Sequence, residues 1–243
     1  MKLSEEQLEV RIHYTMSLVG GFFGAYALFN RLETFGSSQT SNMIYMVMNI
    51  LGRNSDEKLA RFIAILIYMF GFVVTVVLPK YTKVNMHIFS IVCDMIAIFM
   101  VSLLPIDMDP VIALYPIFFV TAVQWNSFKS ANGFVSATIF STNNLRQTTT
   151  SLTEYILEGD SEKLKKFKFY LGVLLCFHTG VVISYLSSKF FSVKGALICL
   201  IPLCVALVFV KNENKALQLL LSKHPLRAFN KQSYCDNLEQ KAS

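Results

Sequence analysis

The chain has 243 residues, of which 53% are hydrophobic and 16% charged, and its mean hydropathy is +0.48. Soluble domains carry about a quarter charged residues, so this balance argues against a soluble globular protein, which would need a very large dry core at this length. The net charge of +6, from 22 bases against 16 acids, does not indicate nucleic acid, because the bases flank apolar segments where anionic headgroups and topology account for them.

The opening MKLSEEQLEVRIHY mixes acids and bases and lacks a small-residue cleavage signature, so the first apolar segment reads as a retained span and not a removed signal peptide. A hydrocarbon core about 30 Å thick takes roughly 20 helical residues to cross. Six segments meet that scale: about 12–30, 62–79, 86–104, 111–128, 169–188 and 194–210. Two further helices are predicted from stretches too polar to face lipid along their whole length. One is FGSSQTSNMIYMVMN at 35–49, and the other is TIFSTNNLRQTTTSLTEY at 138–155.

The chain resembles itself. Shifted by 102 residues, Thr40, Ser41 and Asn42 fall on Thr142, Asn143 and Asn144. An apolar span precedes each triplet, the charged connectors SDEKLARF and DSEKLKKF follow, and two apolar spans close each half. The expected fold is therefore all-α and polytopic: six strong transmembrane segments plus two polar helices, each a half or a full crossing, arranged as two related halves. A single membrane domain would cover 1–210, with halves at about 12–104 and 111–210 joined near LPIDMDP, and 211–243 would be a basic cytoplasmic tail. If the polar helices cross fully, there are eight spans and the halves run parallel. If they dip in and out, there are six and the halves are inverted. Both schemes keep the two termini cytoplasmic under the positive-inside rule, and the base-free LPIDMDP loop, commoner outside, favours six.

Polar groups at membrane depth must be buried in protein or line a watery cavity. Ser37, Ser38, Thr40 and Asn42, and again Ser141, Thr142, Asn143 and Asn144, are the residue types that cap the free amides of a helix start. A helix beginning inside the membrane turns the positive end of its dipole inward, a seat for an anionic or strongly polar group, and Arg146 adds a full charge. Gln39, Thr40, Asn42, Gln124, Asn126, Thr142, Asn143, Asn144 and Arg146 are the candidate substrate-binding residues. The competing reading is structural, with the triplets bonded to neighbouring helices and Arg146 snorkelling to an interface. Asp94, in the middle of an apolar span, is expected to be protonated or paired, with Arg146 as one partner. Asp94 and His178 are the candidates for proton coupling, although a lone histidine on an apolar helix is more often a core residue. Gly20 and Gly24 form a GxxxG that permits close helix packing.

Five cysteines without a CxxC pair, and four scattered histidines, give no disulfide framework, metal site or cofactor site. HExxH, GxSxG and phosphate-loop motifs are missing, so no enzyme is expected.

Two stretches, GGFFGAYALFNRLETFGSSQTSNMI and VQWNSFKSANGFVSATIFSTNNLRQ, resemble the two signatures of the YoaK family of bacterial integral membrane proteins, a domain of unknown function. The resemblance runs from roughly residue 18 to 210. It implies a multi-pass protein of the bacterial inner membrane and gives weight to Thr40, Asn42, Thr142 and Asn144, without naming a substrate. Ser41 and Asn143 stand where that family usually has glycine.

The function expected from these residues is a small-molecule transporter or permease with a central polar site between the halves, its substrate a polar or anionic metabolite. With no ATPase motif, transport would be secondary or would need a separate energising subunit. The alternative is a non-transporting membrane partner or assembly subunit. Expected partners are the substrate and the lipid bilayer, with a homo-oligomer left open and nucleic acid excluded.

Overall fold

The computed structural model describes residues 4–31, 39–52 and 57–223. It is helical apart from one short hairpin. Helix α1 (Glu5–Asn30) starts in a capping box: the Ser4 hydroxyl accepts from the Gln7 amide, and the Gln7 side chain accepts from the Ser4 amide. Beyond Arg11 it is apolar nearly all round, as a mostly buried helix should be. Met16, Phe22, Phe23 and Tyr26 have no exposed surface. Helices α2 (Gln39–Ile50), α3 (Lys58–Tyr81) and α4 (Met86–Leu103) follow. A short α5 (Pro110–Ala113) then leads into α6 (Tyr115–Ser127), the hairpin of β1 (Ser130–Ala131) and β2 (Phe134–Val135), α7 (Thr142–Glu158) and α8 (Ser161–Phe191). A 3-10 segment (Ser192–Cys199) and α9 (Leu200–Lys223) complete the described chain.

Among the described residues, four stretches are long and apolar enough to cross a membrane: Glu6–Asn30, Lys58–Tyr81, Met86–Leu103 and Ser161–Lys215, the last holding α8, the 3-10 segment and α9. The protein is thus a membrane protein. Two predicted segments are less regular than the sequence suggested. The stretch 111–128 is broken at Leu114, which separates α5 from α6 and precedes Pro116 in the first turn of α6. The stretch 194–210 begins as 3-10 helix, because Ser192 takes φ 53° and ends α8.

Helix α1 packs against α8 and α9, while α6 packs against α3 and α4. Helix α2 lies on α3 and α7 lies on α8, each at the edge of the bundle. Glycines allow the tightest crossings: a β-carbon on Gly180 would collide with the Leu18 carbonyl of α1, one on Gly21 with the Phe177 carbonyl of α8, and one on Gly71 would lie 2.7 Å from Ala122 Cβ of α6. The two most buried helices, α1 and α6, are thus each clasped by outer helices whose remaining faces are apolar and exposed, as at Met69, Phe70 and Val76 of α3.

Side-chain contacts fix which ends lie together. Arg31, at the end of α1, is 1% exposed and donates to the carbonyls of Leu104, Pro105 and Ile106, 2.7 Å at the shortest. A guanidinium on the free carbonyls beyond α4 complements the negative end of that helix. Tyr115, at the start of α6, donates to the Ala60 carbonyl at the start of α3 (3.0 Å). At the opposite end, Tyr14 of α1 donates to the Phe169 carbonyl of α8 (3.3 Å). His87 of α4 stacks on Phe128 just after α6, with ring centroids 4.6 Å apart. The end of α6 and the start of α8 therefore share one end of the bundle, and the end of α1 and the start of α3 share the other.

Candidate functional site

The two polar helices begin alike in sequence and are held differently. The β1–β2 turn, Asn132 and Gly133 with φ of 51° and 78°, is of the type that Asn-Gly favours. It is pinned to the first turns of α1, where the Asn132 amide donates to the Glu9 carboxylate (3.2 Å). From there residues 136–141 run inward beside α1 until the Thr138 carbonyl rests against Gly20, where any β-carbon would collide. Gln124 fixes that position by donating to the Met16 carbonyl (2.8 Å) and the Thr138 hydroxyl (3.0 Å). Gly20 lies roughly 22 Å along α1 at 1.5 Å per residue, so α7 starts deep in the bundle. It then returns toward the entry end, where Glu154 pairs with Lys163 of α8 at 2.7 Å.

Asn144 staples this inward elbow. Its amide nitrogen donates to the carbonyls of Ala137 (2.8 Å) and Phe140 (2.9 Å), and its oxygen accepts from the Ser136 hydroxyl (2.9 Å). Ser141, expected to cap α7, makes no such bond. Its backbone is already αR, whereas a capping side chain needs an extended one. Thr142 and Asn143 are exposed, and Arg146, also exposed, donates to the Asn143 oxygen (3.0 Å). The exposed side of α7 continues through Thr149, Thr150 and Thr153, whose hydroxyls bond carbonyls of their own helix.

In α2 the matching residue, Asn42, is 3% exposed and faces the first turn of α3. It donates to the Gln39 side chain (3.1 Å) and the Arg61 carbonyl (3.3 Å), and accepts from the Arg61 guanidinium (3.3 Å). Arg61 also pairs with Glu57 at 2.6 Å and lies 4.7 Å from the Tyr45 ring centre. Thr40 is exposed. Ser37 and Ser38 lie outside the described residues. Helices α2 and α7 pack on different partners, so the two triplets are not brought together as a common pair.

The other candidates are dispersed. Asn126 donates to the Thr75 hydroxyl of α3 (2.6 Å). Asp94 is fully buried with neither carboxyl oxygen hydrogen-bonded, and the expected pairing with Arg146 is not made. Arg146 sits on the exposed side of α7 and bonds Asn143 instead. His178 is exposed on α8, where Nδ1 lies 2.8 Å from the Leu174 carbonyl of its own helix. Sequence reasoning passed over Arg31, Arg61 and His13, all buried. As bases and a histidine beside apolar spans they look like ordinary flanking residues. The available signal was the Arg61 position within a shared connector that also carries Glu57.

Comparison with curated proteins and with solved structures gives no match. Over residues 12–210, most of its length, the chain matches the family described as protein of unknown function DUF1275, and it belongs to that family.

Proposed function

We propose that the protein is a small-molecule membrane transporter in which a polar, anionic solute passes along the exposed side of α7. The observation that carries this reading is Arg146 with Thr142 and Asn143, polar and exposed on a helix whose first turn lies deep beside Gly20. Hydrocarbon cannot solvate such a surface, and polar and charged groups bared to lipid there cost free energy. A watery passage along α7 removes that cost. The uncapped positive end of α7, equivalent to roughly half a charge, and the Arg146 guanidinium together suit an anionic group. Gln39, Asn42, Gln124, Asn126 and Asn144 each make side-chain hydrogen bonds to protein, although Gln39 Nε2 and Gln124 Oε1 are buried without a partner, and in this reading they support the passage and do not touch the solute.

Two inverted halves fit the same picture. Exchanging α1 with α6, α2 with α7, α3 with α8 and α4 with α9 leaves the packing pattern unchanged: α1 meets α8 and α9 where α6 meets α3 and α4. The shared ends noted above favour six crossings, with each polar helix entering and leaving on one side, α2 on the side where α1 ends and α7 on the opposite side, an arrangement in keeping with the inverted repeats of secondary transporters. Lys211 and Lys215 on α9 favour cytoplasmic termini, in the inner membrane of a bacterium. The test is uptake of a panel of labelled carboxylate and phosphate anions by proteoliposomes. Arg146→Gln is expected to lower uptake about tenfold, the loss of a contact worth about 1.4 kcal/mol, with thermal stability unchanged. Equal uptake by wild type and variant overturns the route.

A second reading is favoured by one observation, that Asn42, Asn144 and Gln124 spend their side chains on the fold itself. In it the side of α7 is covered by a partner subunit and nothing is transported. A cysteine at Thr149, in an otherwise cysteine-free chain, separates the two. A watery passage leaves it open to a membrane-impermeant thiol reagent in native membranes, whereas a partner protects it until that partner is stripped away.

A further inference from the structure

The inner side of α4 carries a feature separate from α7. Asp94 lies near the middle of this 18-residue helix and is fully buried, with neither carboxyl oxygen hydrogen-bonded. Ser90, one turn nearer the start of α4, is also fully buried and its hydroxyl is unpartnered. His87 is another turn back, so the three side chains lie along one side of the helix at spacings of three and four. His87 opens on a cleft whose other ionisable groups are Glu9, His13 and Glu213. His13 is 1% exposed with both ring nitrogens unpartnered, and the Glu213 carboxylate is 3.9 Å from His87 Nδ1. Unpartnered polar groups therefore run from an opening at one end of the bundle to a carboxyl about 12 Å along α4, at 1.5 Å per residue.

Among the described residues no cation pairs with Asp94. Helix α6 brings no ionisable side chain except Tyr115, at the far end from the cleft. The 3-10 segment brings Cys199 beside Asp94, while its Lys194 is exposed. Helix α9 brings an exposed Cys204, with Lys211, Glu213 and Lys215 at the cleft end. On α4 itself the neighbour is Cys93, and Arg31 is engaged by carbonyls beyond the end of the helix. A lone carboxylate in such surroundings is strongly disfavoured, and the neutral acid is the state that fits.

We propose that Asp94 is a proton-binding site inside the membrane, loaded from the cleft at His87 and His13 by way of Ser90. In the loading step the His87 imidazolium gives a proton toward the Ser90 oxygen and becomes neutral imidazole, and the Ser90 hydroxyl passes its own proton on to an Asp94 oxygen. Each transfer needs a side-chain rotation or a bridging water, because Ser90 and Asp94 are not hydrogen-bonded to one another. The serine ends unchanged, the carboxylate becomes an acid, and one positive charge has moved inward. Unloading is the reverse. The site stands whether or not a solute moves along α7, and it would give such transport a proton to couple to.

Infrared spectroscopy of the full chain in lipid vesicles tests this without any substrate. At neutral pH the carbonyl stretch of a protonated carboxyl is expected in the wild type. Asp94→Asn should abolish it, and Asp94→Glu should shift but retain it. On transfer to heavy water, the isotopic shift of that band should be roughly tenfold slower in Ser90→Ala and in His87→Phe, the change produced when about 1.4 kcal/mol is added to a barrier. Ser102→Ala, beyond Asp94 on the same helix, should leave the rate unchanged. Absence of the band in folded wild type, its survival in Asp94→Asn, or slowing by Ser102→Ala in place of Ser90→Ala overturns the proposal.

Discussion

Helices α2 and α7 begin with the same Thr-x-Asn spacing after an apolar span, yet one lies against the first turn of α3 and the other starts beside the middle of α1. What differs is the scaffolding around the motif. Before α7 a tight Asn-Gly turn and an inward strand of chain are fastened by Gln124, Ser136 and Asn144, so the elbow is built before the helix starts. Around α2, among the described residues, the fastening comes from the side: Arg61, anchored by Glu57, holds Asn42 against the first turn of α3. The bodies follow suit, since α2 presents exposed Met43, Ile44, Val47 and Met48, whereas α7 presents Arg146 and threonines. A repeated helix start thus sets where a polar helix begins along the chain, and its neighbours set how deep it sits.

The strongest way to break this contrast is at Gly20. A valine there meets the Thr138 carbonyl carbon at 2.9 Å and Ile139 Cα at 3.0 Å, both backbone atoms that cannot swing away. Gly20→Val should expel the elbow, with a loss of about 3 kcal/mol or more, and should expose the α7 start to proteolysis while leaving α2 as it is. Thermal unfolding and limited proteolysis in detergent check this, and a variant as stable and as resistant as wild type would remove the elbow from the account.

Next in size is the pair of asparagines. Asn144→Ala strands the Ser136 hydroxyl and two carbonyls, and with buried partners left unpaired the expected loss is about 3 kcal/mol. Asn42→Ala leaves Arg61 its Glu57 and Tyr45 contacts, so about 1–2 kcal/mol is expected. Equal losses in chemical denaturation would mean that the two starts are held alike after all.

Much of the contrast was out of reach of the sequence, for definite reasons. Hydropathy located α1, α3 and α4, and the small polar residues marked out the stretches 35–49 and 138–155, inside which α2 starts at Gln39 and α7 at Thr142. That Asn42 and Asn144 are buried was readable from the cost of bare polar groups at depth. Their partners were not: Ser136 and Ala137 reach Asn144 only because of the elbow, and Arg61 reads from sequence as a flanking base. The break at Leu114 and the 3-10 turn after Ser192 lie inside apolar runs, where hydropathy is blind to backbone direction.

The smallest expected effect concerns how α7 is tied off where it returns. The hydrogen bond from Lys163 holds the Glu154 carboxyl below its ordinary value of 4.5, an effect that the Lys163 and Lys166 charges add to. A carboxyl lowered in the folded chain contributes stability that is present above its unfolded value and is lost as the pH falls through the folded one. Wild type should therefore be slightly more stable than Glu154→Gln at neutral pH, and the two should converge well below pH 4.5. Both partners are open to solvent, so the difference should also shrink with salt. Melting curves of the two proteins across that range decide it. A gap that persists in acid would show that Glu154 supports α7 through packing and not through charge. Convergence would leave α7 fastened electrostatically at its return and by buried amides at its start, where α2 has its buried amide and its ion pair together at Arg61.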